Sequence, residues 1–200
     1  MIRCFILDII GYMDELQVLK TQDNEIKKYL VSGTQTQVTP TIEKISSKIL
    51  GTTLEKVQKI LDICPSVVES RNSNKKIFRK RTADQILKDG YITGCTDAAL
   101  LFITFARASG IPAKYVETID EEWLRNGGGS ISGHIYSQIY DINQDKWIWV
   151  DPMRRKIGSS PEKRVIFQEG LDSWDIGITD FDSLKTKFEE FRKHWLLENS

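Results

Sequence analysis

Three side chains in this 200-residue sequence could together attack an acyl group: Cys95, His134 and Asp151. A thiol becomes a good nucleophile when it is deprotonated near neutral pH. The start of a helix favours that anion through unpaired amide donors and the helix dipole. Cys95 follows Gly94 and leads into Thr96-Asp97-Ala98-Ala99-Leu100, which reads as such a helix start. The glycine would allow close backbone approach, and the Cys95 amide is a natural donor to an oxyanion. Asp97 suits the dipole in the first turn but opposes a thiolate, so a cation has to come from another element.

The sequence holds two histidines, and His194 falls in a charged C-terminal stretch, which leaves His134 as the candidate base. Asp151 ends the run Trp147-Ile148-Trp149-Val150-Asp151 before Pro152, and a turn through residues 141–145 returns that run close to His134. A carboxylate there can fix the imidazole tautomer and stabilise the imidazolium. Each residue alone also has a plain reading: a small core cysteine, a structural strand histidine, an Asp-Pro strand end. The conjunction, in this order along the chain, is what points to acyl chemistry.

The elements that must hold these groups can be read from hydrophobic periodicity. Ile2, Phe5, Ile6, Ile9, Ile10, Met13 and Leu16 recur at steps of three and four, one face of a helix. Thr39-Pro40 opens a second helix with Ile42, Ile45, Ile49 and Leu50 inward and Gly51 at its end. Thr52-x-x-Glu55 is a capping box for a third, stopped at Pro65. Thr82-x-x-Gln85 opens a short helix ended by Gly90. From Cys95 to Ala106 the chain is apolar nearly all round, so that helix should be buried centrally until Gly110 and Pro112.

The period then changes to two over 113–118, 134–140 and 146–151, which predicts antiparallel strands with a hairpin at 141–145. Asp120 to Ser132, with Asn126-Gly127-Gly128-Gly129-Ser130, is either a flap beside His134 or a plain surface insertion. Residues 72–81 read as a solvated connector despite five basic residues. Leu184, Phe188, Phe191 and Trp195 predict a C-terminal helix packed back on the rest.

Composition sets the frame. An apolar fraction of 40% and five tryptophans fit a packed globular protein of one domain, or one domain with a helical appendage, and two full domains are not expected. Twenty-eight basic and 28 acidic residues cancel, so no global field draws the chain to nucleic acid or anionic lipid. Cys4, Cys64 and Cys95 are widely spaced and odd in number, which indicates neither a disulfide framework nor a cysteine-rich zinc site. The apolar start is a poor signal peptide, and no stretch approaches the roughly 20 apolar residues of a membrane span. The default compartment is therefore cytoplasmic, with export left open.

The segment Gly94-Cys95-Thr96-Asp97-Ala98-Ala99-Leu100 through Ala108-Ser109-Gly110-Ile111-Pro112-Ala113 resembles the nucleophile helix and following turn of the transglutaminase-like superfamily. Gly133-His134-Ile135-Tyr136 is similar to that family's histidine strand, and Trp147-Ile148-Trp149-Val150-Asp151-Pro152 to the segment delivering its aspartate. The resemblance implies a papain-like α+β fold, with the nucleophile on a buried central helix against an antiparallel sheet and a helical N-terminal segment. It implies Cys95 as nucleophile, His134 as general base and acid, and Asp151 as its orienting partner. One domain over 1–200 is expected: a helical part at 1–70, a catalytic core at 82–152 and a C-terminal helix at 182–197. Where relatives often carry a small residue and then Trp after the histidine, this chain has Ile135-Tyr136.

The reaction so implied is cysteine-dependent acyl transfer or hydrolysis on an amide of a protein or peptide, without cofactor or metal. Asp141-x-Asn143-x-Asp145 copies the start of a calcium loop, but Lys146 stands where glycine is needed and Pro152 where the bidentate Glu belongs, so it reads as a hairpin turn. The second oxyanion donor is open, with Gln85 and Tyr91 as candidates. The competing class is a catalytically silent module of the same fold that binds a protein partner.

Overall fold

The structure, a computed structural model, describes residues 23–72, 75–158 and 160–199. The amphipathic stretch from Ile2 to Leu16 and Cys4 lie outside the described residues. After helical residues 23–27 and a 3-10 turn at Lys28–Leu30, helix α1 spans Pro40–Ser46. It is shorter than its apolar spacing predicts. Ser47 turns its hydroxyl back onto the Lys44 carbonyl, and the next amides bond three residues back rather than four. Ile49 stays buried, but Leu50 is 68% exposed rather than inward. Thr39 makes no side-chain cap either, because its hydroxyl donates to Asp84.

Helix α2 (Thr53–Val67) starts with the predicted capping box between Thr52 and Glu55. It runs past Pro65 to Val67. A proline this close to the end forfeits one backbone bond, and the apolar face of Val57, Ile60 and Leu61 remains anchored in the core. Strand β1 (Glu69–Ser70) pairs in parallel with β2 (Tyr91–Ile92), with α3 (Ala83–Asp89) between them. Both ends of α3 match expectation: a Thr82–Gln85 capping box and left-handed Gly90 at φ +74°.

Helix α4 (Cys95–Ala108) is buried from Thr96 to Arg107. It packs against α1, α2 and α3 on one side and against β3 (Ala113–Asp120) and β4 (Gly133–Asp141) on the other. Its all-round apolar sequence thus reflects partners on every side. Between those strands lies α5 (Glu121–Asn126), capped by the Asp120 carboxylate. The sheet continues with β5 (Lys146–Asp151), β6 (Lys156–Ile157) and β7 (Arg164–Gly170) in the order β6-β5-β4-β3-β7, every pair antiparallel. Helix α6 (Phe181–Glu198) buries Leu184 and Phe188. Mixed helices and an antiparallel sheet are the expected α+β class.

The segment from Asp120 to Ser132 is more structured than a glycine-rich insertion suggests. Leu124 is fully buried, and Arg192 of α6 donates to the Trp123 and Arg125 carbonyls. Gly127, Gly128 and Gly129 all adopt left-handed φ near +60 to +70°, a backbone that side chains resist. Among the described residues no helix is long and apolar enough to cross a membrane.

Candidate active site

Cys95 is the first residue of α4, half-buried, behind an N-cap glycine that has no side chain to cap the helix. Its first-turn amides therefore lack the usual side-chain acceptor. Gly94 itself is extended at φ 163°, and a Cβ there would meet nothing within 4 Å. No part of the protein demands a glycine at this point, so the expected close approach is not made by the chain itself. Gly133 is different: a Cβ there would come within 3.0 Å of the Phe188 ring, so its lack of a side chain lets α6 pack against the start of β4.

His134 sits in β4 opposite Thr118 of β3, whose hydroxyl donates to the His134 carbonyl. Its Nε2 lies 2.9 Å from Asp151 Oδ2, in buried surroundings. That leaves Nδ1 free of Asp151, and the Cys95 side chain lies near enough to the ring to influence its pKa. Burial pushes the imidazole pKa down, but the bonds to Asp151 and Cys95 outweigh it and raise it to about 9. Asp151 shifts the other way: burial pushes it up, while His134 and the Arg154 amide pull it below the ordinary carboxylate range. Its Oδ1 accepts from the Arg154 amide at 3.0 Å, which holds the carboxylate from behind.

Two rings flank this pair. Tyr136 meets the His134 ring edge-on at 4.9 Å, and Trp149 meets Tyr136 in the same way at 5.9 Å. The Ile135-Tyr136 sequence thus supplies an aromatic wall beside the imidazole while Ile135 goes into the core. All three predicted residues are brought to one place.

The sequence reading missed two buried arginines in the 72–81 connector, which is not a solvated loop throughout. Arg79, 3% exposed, donates with both terminal nitrogens to Glu117, at 2.7 and 2.9 Å, and also to Ser173 and the Tyr115 hydroxyl. Arg81 donates to Asp97 at 2.6 Å and to Asp89 at 2.9 Å. Asp97 also accepts from the Thr93 amide and hydroxyl. The carboxylate that would have opposed a Cys95 anion is therefore neutralised by Arg81 and spent on the loop before the helix. His134 and Arg79 are the cations near the sulfur.

A signal for Glu117 was present in the strand period. Ala113, Tyr115, Glu117 and Ile119 alternate onto one face, and Ala113, Tyr115 and Ile119 are core residues. A lone acid on such a face requires a buried partner.

Gln85 is exposed and held by the capping box, and Tyr91 has the guanidinium groups of Arg71 and Arg81 against its ring at 4.2 and 4.5 Å. The Asp141–Asp145 segment is a hairpin turn, with Asp141 accepting from the Asn143 amide and the Gln144 side chain.

Residues 41–152 match the model of the transglutaminase-like superfamily. That is more than half of the chain, and the chain belongs to this superfamily. Among solved structures it is similar to a protein from Cytophaga hutchinsonii provisionally described as a cysteine protease, with TM-score 0.58 and 22% identity over 77% of this chain and 50% of that one. LapG from Legionella pneumophila gives TM-score 0.46 and 12% identity over 77% of this chain and 95% of that one. A protein from Parabacteroides distasonis provisionally described as a protease gives 0.42 and 14% over 68% and 29%. At 22% identity the first likeness is one of fold, and the chain spans half the length of that relative. No curated protein matches the chain.

Proposed function

We propose that this chain is a cysteine-dependent acyltransferase or hydrolase acting on an amide of a protein or peptide, with Cys95 as nucleophile, His134 as proton carrier and Asp151 as its orienting group. The observation that carries this reading is the buried 2.9 Å His134–Asp151 bond, with Cys95 near the ring at an uncapped helix start. Residues 82–152 form the catalytic core of one domain in this reading, supported by the helical part before it and the C-terminal helix behind it.

A ring whose pKa is raised to about 9 is an imidazolium at neutral pH, so His134 holds a proton ready for the leaving group. The sulfur attacks the carbonyl carbon, and the oxygen takes the electron pair and faces the Cys95 amide. His134 gives its proton to the leaving nitrogen as the C–N bond breaks, which leaves a thioester. Water or an amine then gives a proton back to His134 and attacks the thioester, and the C–S bond breaks to restore the thiolate. Hydrolysis and transamidation share every step up to that acceptor.

Iodoacetamide near neutral pH should alkylate Cys95 well ahead of Cys64, whose thiol burial pushes up to about 12, and Cys95→Ala should abolish turnover. Labelling of Cys95 no faster than Cys64 would leave the silent binding module as the better reading. Incubation with a glutamine-containing protein and a fluorescent amine then separates the acceptors. Amine incorporation marks a transferase, ammonia release alone a deamidase, and cleaved chain a protease.

A further inference from the structure

Cys95 lines a pocket of about 240 Å³ whose walls are Phe78, Ile131, Ile135, Phe181 and Leu184. The walls come from the 75–81 connector, the end of the loop before β4, β4 itself and α6. The one strongly polar patch is the Arg79–Glu117 pair, which also lines the pocket. That pair is spent on itself. Both carboxylate oxygens are bound by the guanidinium, and both terminal nitrogens of Arg79 are engaged, which leaves only its buried Nε without a partner. The floor therefore offers neither a free cation to an acidic group nor a free anion to a basic one. Lys75, exposed at the rim with its ammonium 5.1 Å from the Phe181 ring, adds only positive charge at the entrance.

From this geometry we infer that the pocket receives an uncharged apolar side chain, of about leucine to phenylalanine size, on the residue whose carbonyl Cys95 attacks. The inference rests on the reading of Cys95 as nucleophile and adds the class of acyl donor. A charged group entering here would lose its hydration among apolar walls and find no unpaired opposite charge in return. An apolar group gains roughly 25 cal/mol for each Å² it removes from water, and the pocket opens at the nucleophile itself, so this gain is available when the acyl group reacts.

The test uses chloromethyl ketones of N-acetylated amino acids, in which the Cys95 sulfur displaces chloride as the C–S bond forms. Rates of Cys95 alkylation are read by mass spectrometry on the full chain, with iodoacetamide as the reagent that has no side chain to seat. Leucine and phenylalanine reagents should react about 10-fold or more faster than the glycine reagent, with aspartate and lysine reagents no faster than glycine. Ile131→Arg, a half-buried loop position, should invert the ratio so that the aspartate reagent outruns leucine. Thermal melting checks that this variant is folded, and the ratio of two rates cancels any loss of active protein. Equal rates for all reagents, or preference for lysine or aspartate in the unsubstituted protein, would overturn the pocket assignment while leaving the nucleophile in place. If iodoacetamide spares Cys95, the nucleophile reading fails and this inference fails with it.

Discussion

The His134–Asp151 and Arg79–Glu117 pairs both lie beside Cys95, both are buried, and each ties together segments distant in sequence, yet they differ in what can move. The imidazole has one nitrogen on the carboxylate and the other free of it, with Cys95 nearby, and its pKa of about 9 is within reach of ordinary conditions. The guanidinium spends both terminal nitrogens on Glu117 and its neighbours. Burial alone would lower its pKa, but Glu117 raises it further above an already high value. One pair can pass a proton and the other cannot. Around one thiol, the fold places a titrating pair and a permanently charged pair, the second joining the connector to β3.

The largest effect should come from breaking the first pair. His134→Gln keeps a polar side chain of comparable reach but cannot carry a proton, and turnover should fall by roughly 10²- to 10⁴-fold. The melting temperature should fall below pH 6.5 and change little above about pH 9, where the ring no longer holds its proton and Asp151 keeps the Arg154 amide. Steady-state kinetics beside calorimetry give both numbers. Loss of fold with loss of activity would mean that this pair is structural, and the contrast between the two pairs would collapse.

Breaking the second pair should do the reverse. Arg79→Met strands the Glu117 carboxylate at full burial, which should cost about 3–5 kcal/mol of stability in urea unfolding. Replacing both partners by apolar residues, Arg79→Met with Glu117→Leu, should recover much of that loss, because no uncompensated charge remains. Arg79→Lys should fall between, since an ammonium cannot bridge both carboxylate oxygens as the planar fork does. A single substitution that leaves stability unchanged would show that the pair holds nothing in place.

These two pairs were unequally legible in the sequence. The first could be read because Cys95, His134 and Asp151 sit at ends of elements that periodicity predicts: the buried helix, two strands and a five-residue hairpin. The second could not, because it joins a connector without periodicity to a strand, and nothing local says that Arg79 turns inward while Lys75 and Lys80 remain exposed. The same reason explains β6 and β7. Lys156–Ile157 is too short to show alternation, and Arg164–Gly170 alternates only half-buried with exposed residues until its last position. Helix ends that depend on local side-chain chemistry were legible at Thr52 and Thr82. At Ser47 the outcome depended on a competing hydroxyl bond that spacing does not reveal.

The pH response should separate the pairs without substitution. His134 has its pKa raised from 6.5 to about 9 in the folded chain. Its contribution to stability is therefore fully present below pH 6.5 and is lost as pH rises through about 9. The stability difference between the wild type and His134→Gln should shrink over that window, measured by urea unfolding at steps from pH 6 to 10. Turnover should fall over the alkaline end of the same window as the imidazolium that protonates the leaving group is lost. The difference between wild type and the double variant Arg79→Met with Glu117→Leu should stay flat, because the guanidinium does not titrate there and no stranded carboxylate remains. A difference for His134→Gln that is constant with pH would mean that the ring is not held protonated by its neighbours.

The smallest expected effect is a control placed one residue from Arg81. The Thr82 hydroxyl accepts from the Gln85 amide at the start of α3, and Thr82→Ala should cost about 1 kcal/mol. This change weakens the helix that carries Asp89, one partner of Arg81, but leaves the Arg81–Asp97 bond and the loop before Cys95 in place. Alkylation of Cys95 by iodoacetamide should keep its wild-type rate at temperatures well below the melting point. If the rate fell with this modest loss of stability, the reactivity of Cys95 would track general loosening of the fold. The contrast between a chemical pair and a structural pair would then have to be measured at matched stability, with Thr82→Ala as the reference in place of the wild type.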